Sequence, residues 1–302
     1  MADLLPGGTH PWHVFDDSKA GHYSQLLLKR CLEDRNPLLV SMEDKYRSRA
    51  LVESKGVGHL TELYHWSEDV AIDWDNLPDR CVIKTNHWSG DALFIMDNGE
   101  EPLTNIHRKF RVFSRGDNRY RVIRKWRDQN GKFWPKWRIE RTLRWCLRQD
   151  FPSSFEWGAA NIRPRGIMIE ELLTDENRLP NDWKVHVFHG KAGFIQYDIG
   201  RMGSHSQSIY TLDGQRIHQE NAFWSEQNTP DEIVSTLGKD TIDELIHIVE
   251  RLAEDIDYTR VDMFFSEGKW YFGEFTNYHN SCHPQSTEWE ELAGGLWLTD
   301  PS

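Results

Sequence analysis

The sequence predicts an α+β protein, and three observations carry that reading. Strand-like runs come in pairs joined by short turns, 260–265 with 269–275 and 182–188 with 193–197. A third pair, 81–84 and 93–96, brackets a small polar loop. Helical patterns lie between the pairs instead of alternating with single strands, which is the signature of antiparallel sheets.

The totals narrow the function. The 302 residues carry 36 Lys+Arg against 48 Asp+Glu, a formal charge of −12. That balance argues against a general binder of nucleic acid or anionic membrane. Cys31, Cys81, Cys146 and Cys282 are scattered with no C-x-x-C, so neither a disulfide framework nor a zinc knuckle is indicated. No apolar run reaches the length of roughly 18–20 residues that a membrane span needs. The expectation these totals leave is a reduced, soluble, cytoplasmic protein without membrane insertion.

In chain order, residues 1–20 read as an irregular arm rich in Gly, Pro, His and Asp. Tyr23, Leu26, Leu27 and Leu28 mark a helix over 21–33, ended by Pro37. A second helix opens at 41–45, capped by Ser41 or Asp44, and stops at Gly56-Val57-Gly58. Residues 60–66 form a short strand. The strand 81–84 ends in Lys84, and the loop 85–92 after it can fold backbone N–H groups and one cation over a polyphosphate. That loop is not a P-loop, and a lysine at a strand end also fits a side chain reaching for the surface.

Residues 108–148 differ from the rest. They hold 15 Lys/Arg against Asp117, Asp128 and Glu140, with Trp126, Trp134, Trp137 and Trp145 interleaved. Such a segment suits an anionic polymer, by stacking and charge, or a helix docked on an acidic neighbour. Farther on, 166–173 is a strand ending in Glu170 and Glu171, and 201–208 is a Gly/Ser/His loop suited to a lid. Residues 230–256 are the clearest helix, with Thr229 as cap and Ile242, Leu245, Ile246, Val249 and Leu252 as its apolar stripe. A short helix follows around 288–292.

The hairpin over 257–283 is the chemical centre. Alternation puts Arg260, Asp262 and Phe264 on one face, and Phe272, Glu274 and Thr276 together on the partner strand. Asp262 and Glu274 can then lie side by side. Two such carboxylates repel unless a cation sits between them, and hard oxygen donors suit Mg²⁺. A water-facing hairpin would also explain an isolated Asp/Glu pair; the aromatic strands around this one favour burial.

Five blocks in order resemble the ATP-grasp superfamily and its TupA-like branch, which is linked to teichuronopeptide and capsule polysaccharide biosynthesis. They are D-K-Y-R-S-R-A-L-V-E-S-K-G-V-G (44–58), L-P-D-R-C-V-I-K-T-N-H-W-S-G (77–90), I-R-P-R-G-I-M-I-E-E-L-L (162–173), D-W-K-V-H-V-F-H-G-K (182–191) and T-R-V-D-M-F-F-S-E-G-K-W-Y-F-G-E-F-T (259–276). The resemblance covers about residues 40 to 280 and finds no counterpart for 1–40.

The resemblance implies two α+β subdomains with antiparallel sheets clamping ATP. The expected divisions are an arm and helix (1–43), a first subdomain (44–107), a basic Trp-rich helical insert (108–161) and a second subdomain (162–302). Lys45 and Lys84 would contact the α- and β-phosphates, with Ser89 and Gly90 in the closing loop. Glu171 and Leu172 would read adenine through backbone groups, with Glu170 and Asp182 as the nearby carboxylates. Lys184 would touch the γ-phosphate. Arg260 would stabilise an acyl phosphate, with Arg201 a further cation of the catalytic set. Asp262, Glu274 and Thr276 would hold one or two Mg²⁺ ions. Thr276 stands where many members have Asn, which makes it the weaker ligand.

The implied activity is ATP-dependent carboxylate–amine ligation, releasing ADP and phosphate. Its small-molecule substrates would be an amino acid, peptide or sugar acid and an amine. The alternative is a catalytically silent ATP-grasp fold that binds an anionic glycan or nucleic acid through 108–148.

Overall fold

The computed structural model describes residues 12–88, 93–106, 120–150, 155–200, 202, 205–220, 222 and 225–299. Two six-stranded sheets organise them. The first contains β1 (Leu63–Ser67), β2 (Arg80–Thr85), β3 (Leu93–Asp97), β4 (Tyr120–Arg124), β5 (Arg127–Asp128) and β6 (Ile167–Glu171), in spatial order β1-β6-β2-β3-β4-β5. The second contains β7 (Asp182–Phe188), β8 (Lys191–Ile199), β9 (Ser206–Tyr210), β10 (Arg216–Ile217), β11 (Tyr258–Ser266) and β12 (Lys269–Thr276), in order β10-β9-β8-β7-β11-β12. Neighbours are antiparallel except β3 and β4.

The helices are α1 (Tyr23–Glu33), α2 (Pro37–Glu43), α3 (Arg47–Lys55), α4 (Lys136–Arg148), α5 (Trp157–Ala160), α6 (Val234–Leu237), α7 (Lys239–Leu252) and α8 (Thr287–Leu298). None is long and apolar enough to cross a membrane.

Several helix ends differ from expectation, each for a local reason. Pro37 opens α2 instead of ending α1, because its missing N–H costs nothing in a first turn and Asn36 caps it. Residues 41–43 therefore close α2. The N-cap position of α3 is Tyr46, and Asp44, two residues before it, accepts the Tyr46 and Arg47 N–H groups at 2.9 and 3.3 Å. The helix expected over 230–256 breaks at Gly238, whose φ of 83° and ψ of 156° leave the helical region, and α6 and α7 flank it. Thr229 does not cap; its hydroxyl pairs with Ser208 Oγ and Glu226 O. The tail helix α8 runs to twelve residues, with Ser286 as its cap.

The second sheet has two unlike faces. Val185, Val187, Ile195, Val261 and Met263 face α7, whose Ile242, Leu245 and Val249 are buried as the stripe predicts. The opposite face is apolar at one end only. There Phe188, Phe194 and Tyr258 pack under Tyr23 and Leu27 of α1 and Trp289 and Ala293 of α8. The other end of that face carries Asp182, Lys184, Gln196, Asp198, Arg260 and Asp262, all buried. The terminal helices thus cover one end of this face, and the polar end is the end from which Asp182 and Asp262 line a cleft toward the first sheet.

The fit of α8 on α1 depends on Gly294. A Cβ there would overlap the Gly21 carbonyl oxygen and sit 3.1 Å from the Tyr23 nitrogen. Backbone cannot yield as a side-chain tip can, so Gly294→Ala is expected to cost about 2–3 kcal/mol. Urea denaturation checks this; an unmoved midpoint would show that the two helices part freely.

The first sheet is assembled from distant segments. β6 is hydrogen-bonded between β1 and β2, so a strand from the expected 162–302 subdomain belongs to the first sheet. The basic Trp-rich segment is also built into this sheet. It supplies β4 and β5, while Ile139, Leu143 and Cys146 of α4 pack on Cys81, Ile83 and Phe94.

Candidate active site

The cleft between the sheets gathers residues from both. Val82, Lys84, Ile95, Glu170 and Glu171 line it from the first sheet, with Leu172 and Leu173 just beyond β6, and Asp182, Asp262, Phe264 and Glu274 from the second. Lys45, at the α2–α3 junction, lines it as well.

On the first sheet, Val82 pairs with Glu170 and Lys84 with Met168, so Lys84 and Glu170 are diagonal neighbours on one face. The Lys84 ammonium is ion-paired to Glu170 Oε1. Glu170 Oε2 lies 3.7 Å from Arg49 Nη1 and 3.4 Å from Thr61 Oγ1. Glu171 is held by Glu62: its N–H donates to the Glu62 carbonyl at 2.9 Å, and its carboxylate accepts the Glu62 N–H at 3.1 Å. The β2–β6 ladder ends at Glu171, which leaves the backbone of Leu172 beyond it.

Lys45 is fixed through Asn86, a residue that sequence reading passed over within the loop. The Lys45 N–H donates to Asn86 O at 3.1 Å, and the Asn86 amide donates to Asp44 Oδ1 at 3.0 Å. Asn86 Oδ1 in turn accepts the Gly166 N–H at 3.0 Å, just before β6. One buried asparagine thereby joins the helix junction to both strands that flank the cleft.

The second sheet presents a grid. Gln196, Lys184, Asp262 and Glu274 stand in register across β8, β7, β11 and β12. His186, Arg260 and Thr276 form the next row. Asp262 and Glu274 are adjacent as expected, but a bulge at Gly273 is needed to bring them together. It leaves Phe272 opposite Met263 and puts Glu274 opposite Asp262, on the other face, whereas simple alternation places Phe272 with Glu274. Glycine permits the bulge, since a Cβ there would sit 2.8 Å from the Phe264 ring and 3.0 Å from Asp262 O.

Arg260 forks onto Asp262, with Nε to Oδ1 at 2.6 Å and Nη2 to Oδ2 at 2.7 Å, and Nη2 also donates to Thr276 Oγ1 at 3.0 Å. Burial holds the Asp262 carboxyl above the usual carboxylate range; Arg260 and Lys184 pull the other way, and Glu274 adds to the rise. Glu274 is a third exposed, and its Oε2 lies 3.5 Å from Lys45 Nζ. The Lys184 ammonium is ion-paired to Asp198 and lies 3.7 Å from Asp182 Oδ1.

These donors fit Mg²⁺. Among the described residues no group of three or more His, Cys, Asp or Glu side chains could hold a metal ion. Two carboxylates are what Mg²⁺ usually takes, with water and phosphate oxygens completing its shell. Arg260 occupies one lone pair on each Asp262 oxygen, and each retains another. β12 ends at Thr276, and the backbone N–H of Asn277 donates to Glu43 Oε1 at 2.7 Å.

Glu43 is a further acidic group that sequence reading missed. Burial pushes its carboxyl up to about 7 against the Asn277 N–H and Lys45, with Glu274 adding to the rise. Only the docking of α2 beside β12 brings it there, so no local pattern reveals it. Asp198 and Gln196 were legible in principle, because alternation along β8 puts both on the Lys184 face. Ser89, Gly90 and Arg201 lie outside the described residues. Of the expected lid, residues 206–208 are instead buried strand in β9.

The basic segment divides its tryptophans. Trp134 is buried, with the Arg138 and Arg121 guanidinium groups 4.2 and 4.6 Å from its ring. Trp137 is 62% exposed and Trp145 50% exposed. The Trp145 ring meets Trp88, which lines the cleft, edge-on at 5.8 Å.

No protein with a curated description matches the chain. A D-alanine–D-alanine ligase from Bacillus anthracis, solved with ATP, is 15% identical, with 78% of this chain and 54% of that one covered at a TM-score of 0.37. A RiPP-associated ATP-grasp ligase from Chryseobacterium gregarium, solved with ADP and a leader and core peptide, is 10% identical, covering 85% and 60% at 0.36. An L-amino acid ligase from Bacillus licheniformis is 11% identical, covering 85% and 42% at 0.39. The chain thus spans roughly half the length of these similar structures. At such identities and scores, family assignment rests on sequence. Residues 25–296 match the model described as TupA-like ATPgrasp, and with that span inside the match the chain belongs to the TupA-like ATP-grasp family.

Proposed function

We propose that the protein is an ATP-dependent carboxylate–amine ligase. One observation carries the reading: Lys45 and Lys84 from one side and Asp262 and Glu274 from the other converge on a single cleft. Val82, Ile95, Leu172 and Phe264 give the same cleft an apolar stretch of wall. An apolar slot beside paired cations and carboxylates suits a purine nucleotide with its metal.

In this reading the two sheets are the two lobes. Leu172, past the end of the β2–β6 ladder, meets the adenine edge, and Glu170 or Asp182 meets the ribose. Lys45 and Lys84 hold the α- and β-phosphates, beneath a loop containing Ser89 and Gly90. Asp262, Glu274 and Thr276 hold Mg²⁺, which when bound neutralises phosphate charge. The two carboxylates support one ion. Lys184 contacts the γ-phosphate.

The chemistry requires this concentration of positive charge. A substrate carboxylate attacks the γ-phosphorus and the bond to the bridging oxygen breaks, releasing ADP. Anion meets anion, so fixed cations do most of the work. An amine then attacks the acyl carbon, phosphate leaves with the C–O electrons, and the amine sheds a proton. Arg260 stabilises the oxyanion, with Arg201 assigned to the same set. An amino acid, peptide or sugar acid supplies the carboxylate.

The test is ADP release with Mg²⁺-ATP and pooled amino acids, beside a thermal shift with ATP. Nucleotide at 100 times its Kd is expected to add about 2.7 kcal/mol of stability. A wild type that binds no ATP would sink the reading.

A second reading, a silent fold that holds an anionic polymer, draws support from α4. Arg141 and Arg148 are exposed beside Trp137 and Trp145, with no charged partner among the described residues. It leaves the convergence of Lys84, Asp262 and Glu274 without a purpose, and ADP release by the wild type decides against it.

A further inference from the structure

The polar end of the second sheet continues behind the residues that line the cleft. Asp198 is buried at 3% exposure on β8, one strand away from Lys184. Its Oδ2 is ion-paired to the Lys184 ammonium. Its Oδ1 accepts from Gln196 Nε2 at 2.9 Å. Gln196 is fixed in turn, with Nε2 3.2 Å from Gln207 Oε1 and Oε1 3.2 Å from His186 Nε2. His205, just before β9, places Nε2 3.5 Å from the same Asp198 Oδ2. Burial opposes the charge on Asp198, yet Lys184, His205 and Gln196 together hold its carboxyl well below the usual range.

Stability alone is a poor reason for this arrangement. Burying an ion pair costs desolvation that its attraction only partly returns, and apolar replacements are often as stable or more so. What the pair does provide is aim. An ammonium has three N–H donors. Asp198 engages one, and Asp182 Oδ1 at 3.7 Å lies beyond hydrogen-bond distance. Among the described residues the other two donors of Lys184 are unused. Asp182, the carboxylate that lines the cleft, is therefore near enough to favour the ammonium but does not capture it.

We infer that Asp198 is the positioning residue that draws Lys184 away from Asp182 and turns its two remaining N–H donors toward the transferred phosphoryl group. This rests on the ligase reading and adds to it a residue outside the cleft.

The experiment compares wild type, Asp198→Asn, Lys184→Met and the double variant by ADP release and by ATP binding. Each single change is expected to lower kcat about 100-fold while the Kd for ATP stays within about threefold. The double variant is expected to be no slower than Lys184→Met, because a residue that acts only through Lys184 has nothing left to position. Near-UV circular dichroism confirms that each variant is folded. Should Asp198→Asn not fold, Gln196→Met loosens the same carboxylate, with an expected loss of about fivefold in kcat that vanishes in the Lys184→Met background.

Losses that multiply in the double variant would overturn the inference. So would an Asp198→Asn defect lying wholly in ATP affinity, or an unchanged kcat. A wild type without ATP binding would instead overturn the ligase reading, and this inference with it.

Discussion

Asp262→Asn is expected to lower Mg²⁺-dependent ADP release about a thousandfold and to destabilise the fold by about 3–5 kcal/mol, both from the loss of one charge. Asp262 stands in register with Lys184 on one side and Glu274 on the other, and Arg260 is forked onto it. On the proposed function, neutralising it removes a metal ligand; in the fold it leaves the buried Arg260 guanidinium facing a neutral amide. Glu274→Gln separates the two effects. Glu274 is a third exposed and Arg260 keeps Asp262 as its partner, so losing the Glu274 charge disturbs the interior far less than losing that of Asp262. That variant should keep its melting temperature and still lose about a hundredfold in rate, partly recovered by raising Mg²⁺. Equal rates for Glu274→Gln and wild type would remove the metal assignment. A stable, inactive Glu274→Gln beside an unstable, inactive Asp262→Asn is the pattern the geometry demands.

The legibility of this site in the sequence follows the range of the interactions that build it. The hairpin was readable because its register is local: Glu267 and Gly268 both take positive φ in a two-residue turn, and strand alternation does the rest. Even there, the bulge at Gly273 decides the partner of Glu274, since pattern alone does not show where an extra residue is absorbed. β6 was read correctly as a strand, yet its neighbours β1 and β2 lie some 80 to 100 residues earlier, and alternation carries no information about partners so distant. The break at Gly238 was overlooked because the apolar stripe, Ile242 to Leu252, lies wholly within α7 and does not mark where that helix begins. Glu43 and Asn86 escaped because their importance arises from docking and not from their own segments. Where the chemistry sits within one hairpin the sequence announces it, and where it depends on how segments meet, the sequence holds only the pieces.

Lys84→Met is expected to raise the Kd for ATP about fiftyfold and to lower kcat about tenfold, a split that marks a contact made chiefly before the transition state. Two roles for Lys84 would otherwise look alike. It lines the cleft, and it is also ion-paired to Glu170. If it served only to neutralise that carboxylate, its loss would leave a poorly compensated charge, and removing the charge as well would restore ATP binding. Glu170 keeps Arg49 at 3.7 Å and Thr61 at 3.4 Å, so the single variant should remain folded. The double variant Lys84→Met/Glu170→Gln therefore decides between the roles. Binding that stays weak assigns Lys84 to phosphate, because the anion it serves comes from the ligand. Binding that returns to near the wild-type value assigns it to Glu170, and Lys45 would then be left as the cleft's cation for the α- and β-phosphates. The same measurement bears on the ribose, since Glu170 can accept from a hydroxyl only to the extent that Lys84 releases it. If Lys84 serves the nucleotide, nucleotide entry would open the Lys84–Glu170 pair, and raised ionic strength should weaken the pair and the nucleotide contact together.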